Sequence, residues 1–203
     1  TKIAGNQADC IDRNQNGVID TSAVDVPLNY GADECVLWTA AVGNPNAVLR
    51  SMVIDRGDDN RPNGYVWVGS YNESRLYKLD PDNGQLLETV DLNVRPFGSV
   101  ISMNGTIWVG TLGESQLQAV NSVTAQAGPV VNNPAALRDG CRSSYGMTLD
   151  RTGRIWLSGW ECPDAIGYNP ATQAWCRAEL PFDLPVGRGM TSDIDGRVWA
   201  ALG

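Results

Sequence analysis

Histidine is absent from all 203 residues. Its absence excludes Ser-His-Asp and Cys-His catalysis, imidazole-bound zinc and histidine general acid–base chemistry within this chain. No run of about 18 apolar residues occurs, so the sequence holds no membrane-spanning helix. None of the five cysteines stands in C-x-x-C spacing, which removes the usual zinc and thioredoxin-type patterns. No long segment keeps a 3.6-residue apolar period, so a helical architecture is excluded. Cations are scarce. The 15 Lys and Arg face 23 Asp and Glu, a net charge of -8, which argues against nucleic acid and anionic membranes as partners and suits bound cations. The 42% hydrophobic and 19% charged residues belong to a globular chain rather than a disordered one.

What is present is a repeat. Gly64-Tyr65-Val66-Trp67, Gly105-Thr106-Ile107-Trp108, Gly153-Arg154-Ile155-Trp156 and Gly196-Arg197-Val198-Trp199 recur roughly every 40–50 residues. An apolar run precedes each one, at 51–54, 99–102, 146–149 and 189–192, with a turn signal such as Asp150 to Gly153 between the two runs. A third and a fourth strand follow, clearest at 75–79 and 85–90 around the turn Asp80-Pro81-Asp82-Asn83-Gly84. The third repeat copies them at 165–169 and 174–178. Alternating apolar and polar residues mark half-buried antiparallel strands, and Pro, Asn and Gly end them. Four strands per repeat predict an all-β chain of β-propeller blades. A β-sandwich is the alternative, but it gives no reason for a Trp at this period. Trp67, Trp108, Trp156 and Trp199 are expected in the core.

The pattern Gly-Met-Thr-x-Asp-x-x-Gly-Arg-(Ile/Val)-Trp at 146–156 and 189–199 resembles the streptogramin lyase-like (virginiamycin B lyase-like, NHL-related) β-propellers. The resemblance covers about residues 46–203. It implies the fold, and for the lyase members a catalytic histidine with a magnesium ion; no position here can receive that histidine. No catalytic residue is therefore assigned.

The repeats divide the chain into an N-terminal segment, 1–45, and blades at 46–92, 93–137, 138–182 and 183–203, the last one partial. Three and a half blades make an incomplete ring, which exposes an edge. The expectation is a fragment, one half of a split protein or one part of an oligomer, completed by further blades or another protein chain. A strand at 34–42 would need a partner from elsewhere.

Asp12-Arg13-Asn14-Gln15-Asn16-Gly17-Val18-Ile19-Asp20 matches most of an EF-hand calcium loop. Oxygens of Asp12, Asn14 and Asn16, the Val18 carbonyl and Asp20 would converge on Ca2+, while Gly17 permits the turn. Position 12 of the pattern is Ala23, and Asp25 is the nearest carboxylate. The loop resembles the isolated dockerin-like or thrombospondin-type-3-like calcium segments. The competing reading is a turn-rich linker with solvated side chains.

The cysteines are read as disulfides, which implies an oxidising compartment, and Thr1 as the start of a chain whose signal peptide has been removed. The expected location is extracellular or periplasmic; five buried thiols in an intracellular protein is the competing reading. Cys10–Cys35 would clamp the calcium loop. Propeller geometry pairs Cys141 with Cys162 and leaves Cys176 as an odd thiol or a link to another chain. The acidic stretches at 55–64 and 80–84 are read as turns.

One predicted face gathers Arg50, Arg95, Phe97, Tyr145 and Arg188 at the starts of first strands, with Tyr71 and Trp160 after the Trp strands. Aromatics beside arginines suit a carbohydrate or an anionic small molecule. The competing reading is that they fill the channel and the blade interfaces. The function expected is a secreted, calcium-binding β-propeller acting as a binding or structural module. The alternative is part of a lyase-like enzyme whose catalytic residues lie in other blades or a partner chain.

Overall fold

The computed structural model describes residues 1–23, 25–29, 31–113, 116–134, 144–160, 162, 164–179 and 187–202. Three four-stranded antiparallel sheets follow one another along the chain. The first holds β3 (Leu49–Ile54), β4 (Val66–Ser70), β5 (Arg75–Leu79) and β6 (Leu86–Asp91) in chain order. The second holds β7 (Gly98–Ile101), β8 (Thr106–Gly110), β9 (Leu117–Asn121) and β10 (Gln126–Val131), and the third β11 (Ser144–Leu149), β12 (Ile155–Gly159), β13 (Asp164–Asn169) and β14 (Ala174–Glu179). A two-stranded fourth sheet pairs β15 (Gly187–Ser192) with β16 (Val198–Leu202). The first strands β3, β7, β11 and β15 touch in that order, so they share the central side.

A strand shows alternate residues to opposite faces, and this places the Trp. Trp67 leaves β4 toward the second sheet and packs with Leu76, Val90, Ile107 and Val109 in one cluster. Trp108 repeats the move toward Ile155, Leu157 and Ile166 of the third sheet. The first and second sheets thus bury their Trp faces against the Ile, Val and Leu of the next. Trp67 is fully buried and Trp108 8% exposed. Trp199 departs from the expectation of a core residue: it is 59% exposed, because no described sheet lies beyond β16 to cover it.

The hairpin before three of the four Trp residues is locked by its own carboxylate. Trp67 donates its indole N–H to Asp55 at 2.8 Å, Trp156 to Asp150 at 2.9 Å and Trp199 to Asp193 at 2.9 Å. The other oxygen of each Asp accepts backbone N–H groups of the same turn, such as Tyr65, Arg154 and Arg197. The glycines that close these turns, Gly64, Gly105, Gly153 and Gly196, have φ between 82 and 83°, the left-handed region in which glycine carries no Cβ penalty. The second sheet has Ser102 where the others have Asp.

The N-terminal strand is shorter than the 34–42 expected and finds its partner within the chain. β2 (Val36–Trp38) pairs with β1 (Lys2–Ile3). This hairpin docks on the first sheet, where the Lys2 ammonium and the Trp38 indole both donate to the Pro81 carbonyl, at 3.0 and 3.1 Å. A cavity of about 560 Å³ remains between them, lined by Trp38, Met52, Ile54, Val66 and Val68. Val66 and Val68 occupy the positions that Ile107 and Val109 use to receive Trp67. This cavity is therefore the uncovered leading face of the first sheet.

Candidate functional site

The four sheets place one end of every first strand beside the end of its Trp strand. Leu49 opposes Ser70, Gly98 opposes Gly110, Ser144 opposes Gly159 and Gly187 opposes Leu202. The residues just beyond these pairs meet on the central side. All seven residues expected from sequence come together there. Tyr71 and Phe97 lie 5.9 Å apart between ring centroids, Phe97 and Tyr145 4.9 Å, and Tyr145 and Trp160 4.9 Å. The first two contacts are edge-on and the last is stacked at 19°. These are the geometries that aromatic quadrupoles favour.

Three arginines flank this strip. Arg95 lies 5.7 Å from Tyr71, Arg50 5.0 Å from Phe97, and Arg188 4.1 Å from Trp160 and 5.7 Å from Tyr145. Phe97 is buried, the other rings are half-buried and the arginines are exposed. The arrangement joins first-, second-, third- and fourth-sheet residues without a gap.

β-Bulges aim this strip. In β3, Arg50 is an extra residue between the Leu49–Ser70 and Ser51–Gly69 pairs. In β11, Tyr145 and Gly146 together oppose Ser158, and in β15 Arg188 and Gly189 oppose Ala201. A bulge turns one side chain without ending the strand, and bulges gather beside functional sites. Ser158 ties two of them together: its hydroxyl accepts from the Gly146 N–H at 2.8 Å and donates to the Arg188 carbonyl at 2.9 Å. A Cβ at Gly146 would strike the Arg188 carbonyl and lie 2.7 Å from the Met190 nitrogen, so glycine is what lets β11 and β15 approach.

The N-terminal loop also gathers its expected residues. Asp12 accepts the N–H groups of Asn16 and Gly17 at 3.2 and 2.9 Å. The amides of Asn14 and Asn16 both donate to Asp20 Oδ2, at 2.8 and 3.0 Å. Asp12, Asn14, Asn16 and Asp20 therefore share one small volume, with two carboxylates and two amide oxygens as candidate cation donors. Val18 lies two residues after Asn16, whose side chain accepts its N–H at 2.8 Å. Asp25 does not join them. It stands between Ala23 and Val26, whose backbones bond to each other, and it forms no hydrogen bond with the loop among the described residues. No group of three or more Asp, Glu or Cys side chains in metal-holding geometry occurs among the described residues.

Sequence reasoning missed Glu34. Its carboxylate, 2% exposed, accepts the N–H groups of Arg13 at 2.7 Å, Asn14 at 3.2 Å and Asp20 at 3.0 Å. It staples both ends of the loop. Next to it the Cys10–Cys35 disulfide forms as expected, across 25 residues. Asp33 works beside it: N–H and hydroxyl hydrogen bonds from Ser22, with the Cys35 N–H, lower its carboxyl from 3.8 to about 2. The signal was the Asp33-Glu34-Cys35 run, but spacing alone cannot show which carboxylate turns inward.

Cys162 is also disulfide-bonded, and its expected partner Cys141 lies outside the described residues. Cys176 forms no disulfide within the chain. The acidic stretches serve turns: Arg61 pairs with Asp80 at 2.7 Å and also with Asp82, and Asp58 caps Asn60 and Arg61.

No family model matches the chain, and no curated protein sequence matches it at significance. Solved structures do match. Virginiamycin B lyase from Staphylococcus aureus superposes with a TM-score of 0.65 at 14% identity, over 79% of this chain and 51% of that one. A streptogramin B lyase gives 0.63 at 16%, over 79% and 50%. The WD40 repeats of RRP9 give 0.57 at 9%, over 79% and 53%. The chain is a β-propeller. It spans about half the length of these neighbours, and at such identities the likeness speaks for the fold alone. In propeller terms the four sheets are blades and the aromatic–arginine strip lies where successive blades converge. Among the described residues no helix is long and apolar enough to cross a membrane.

Proposed function

We propose that this propeller is a secreted binding module whose ligand sits on the aromatic–arginine strip. The observation that carries the reading is the assembly of Arg50, Tyr71, Arg95, Phe97, Tyr145, Trp160 and Arg188, from four blades, into one continuous surface. Disulfides fit an extracellular or periplasmic location. The uncovered faces of the first and fourth blades fit further blades or another protein chain. Residues 1–45 form an N-terminal unit and 46–203 the blades. A carbohydrate or an anionic small molecule is the ligand class that rings and guanidiniums suit. The lyase-like alternative places its catalytic residues in further blades or a partner chain, since this chain has no histidine.

The N-terminal loop is the calcium site of this reading. Asp12, Asn14, Asn16, Asp20 and the Val18 carbonyl would hold the ion, and its role would be to stiffen the segment rather than to react. Titration calorimetry of calcium into chelator-treated protein tests this; no heat and no thermal shift would sink it. For the strip, the anionic aromatic dye anilinonaphthalene sulfonate serves as probe. Trp160→Ala should abolish most of its fluorescence gain while Trp199→Ala leaves it. Equal binding by all three proteins would remove the strip from consideration.

A further inference from the structure

We infer that the strip recognises an acidic oligosaccharide, one bearing carboxylate or sulfate groups on successive sugar units; this rests on the strip being the binding site. The first observation is electrostatic. Arg50, Arg95 and Arg188 are exposed, and their guanidinium groups make no hydrogen bond or ion pair with any described residue; each only lies over a ring. Arg61, Arg75, Arg177 and Arg197 pair with carboxylates, while Arg154 lies over Trp156 as these three do over their rings, but singly. In a chain with 23 acidic and 15 basic residues, three guanidiniums without a carboxylate partner gather in one place.

The second observation is geometric. A guanidinium resting on an aromatic face keeps its N–H edge free, and that planar fork matches the two oxygens of a carboxylate or sulfate. Arg95 stands by Tyr71, Arg50 by Phe97 and Arg188 by Trp160, so the three forks are spread along a line of four rings. A compact mono-anion would use one fork and leave two idle. An extended ligand with repeated oxyanions uses all three, and its apolar sugar faces lie against the rings between them.

The third observation is the scaffold. Two of the three arginines sit in β-bulges, Arg50 in β3 and Arg188 in β15. The bulge breaks the alternation that would otherwise dictate the direction of the side chain.

Calorimetry on the full chain, with tetragalacturonate, its methyl ester and a heparin-derived tetrasaccharide, tests the inference. An acidic probe should bind at least about tenfold more tightly than the ester. Arg50→Gln, Arg95→Gln and Arg188→Gln should each weaken it several-fold with melting temperature unchanged. Preference for the carboxylated or the sulfated probe identifies the oxyanion, and either supports the inference. Equal binding of acid and ester, or a triple Gln variant that binds as wild type, overturns it. If neither acidic probe binds while the dye still depends on Trp160, the glycan class is wrong and the binding site stands. If the dye also ignores Trp160, the binding reading itself falls.

Discussion

Trp67 and Trp199 occupy the same position in the repeat, yet one is fully buried and the other 59% exposed. Both donate to the Asp of their own turn, and both turns close on a glycine in the left-handed region. The local motif therefore forms whether or not the neighbour is present. Burial belongs to the next blade. The hairpin lock and the blade interface are separate layers of stability, and the Trp face of the fourth blade shows the first without the second.

The largest expected effect separates these layers. Trp67→Ala should cost about 3–5 kcal/mol in chemical denaturation, the range for a large aromatic removed from a packed core. Trp199→Ala should stay within about 0.5 kcal/mol, as surface changes do. Similar losses at both would mean that the Trp face of the fourth blade is covered in solution.

A second contrast lies in the bulges. Gly146→Ala should cost about 1–3 kcal/mol, because its Cβ meets the backbone of β15. Gly189, one blade on, has nothing within 4 Å of its Cβ position, so Gly189→Ala should be close to neutral in the same assay.

Asp150→Ala should cost about 1–3 kcal/mol by leaving the Trp156 indole and the turn amides without an acceptor. Burial acts to raise the Asp150 pKa, but the Thr152 hydroxyl, the Trp156 indole and the turn amides outweigh it and hold it below 3.8. A depressed carboxyl stabilises the fold above the ordinary value, and that stability is lost as pH falls through the folded one. The acid limb of a stability profile should therefore flatten in Asp150→Asn.

The smallest effect concerns the N-terminal segment. With Asp33 near 2, its contribution is complete above pH 3.8 and fades as pH drops toward 2. Limited pepsin digestion should release residues 1–45 before the blades over that window, and Asp33→Asn should move the release to higher pH. Simultaneous release would show that the segment and blades unfold as one.

The sequence made the blades legible because a strand repeat with a Trp and a turn glycine leaves a period that any alignment of the chain on itself exposes. The strip was legible as well, for strand ends that share a face follow from blade topology. Trp199 was misread as core since periodicity reports position within a blade and is silent about the blade beyond. Glu34 escaped because its three donors are backbone N–H groups from Arg13, Asn14 and Asp20, and main-chain geometry has no letter in the sequence. Asp25 was placed with the loop on proximity along the chain, and it forms no hydrogen bond with the loop among the described residues.

The bulges at Arg50, Tyr145 and Arg188 have an evolutionary consequence. Each sets one residue outside the pairing register, so its identity can drift without shifting the strand that carries the blade interface. On the proposed binding role, such a scaffold would change what it recognises by single substitutions at those three places while keeping its architecture. Relatives of this chain should then vary most at the bulge residues and least at the aspartates that hold the indoles, and a panel of such sequences would display specificity and stability as separately inherited traits.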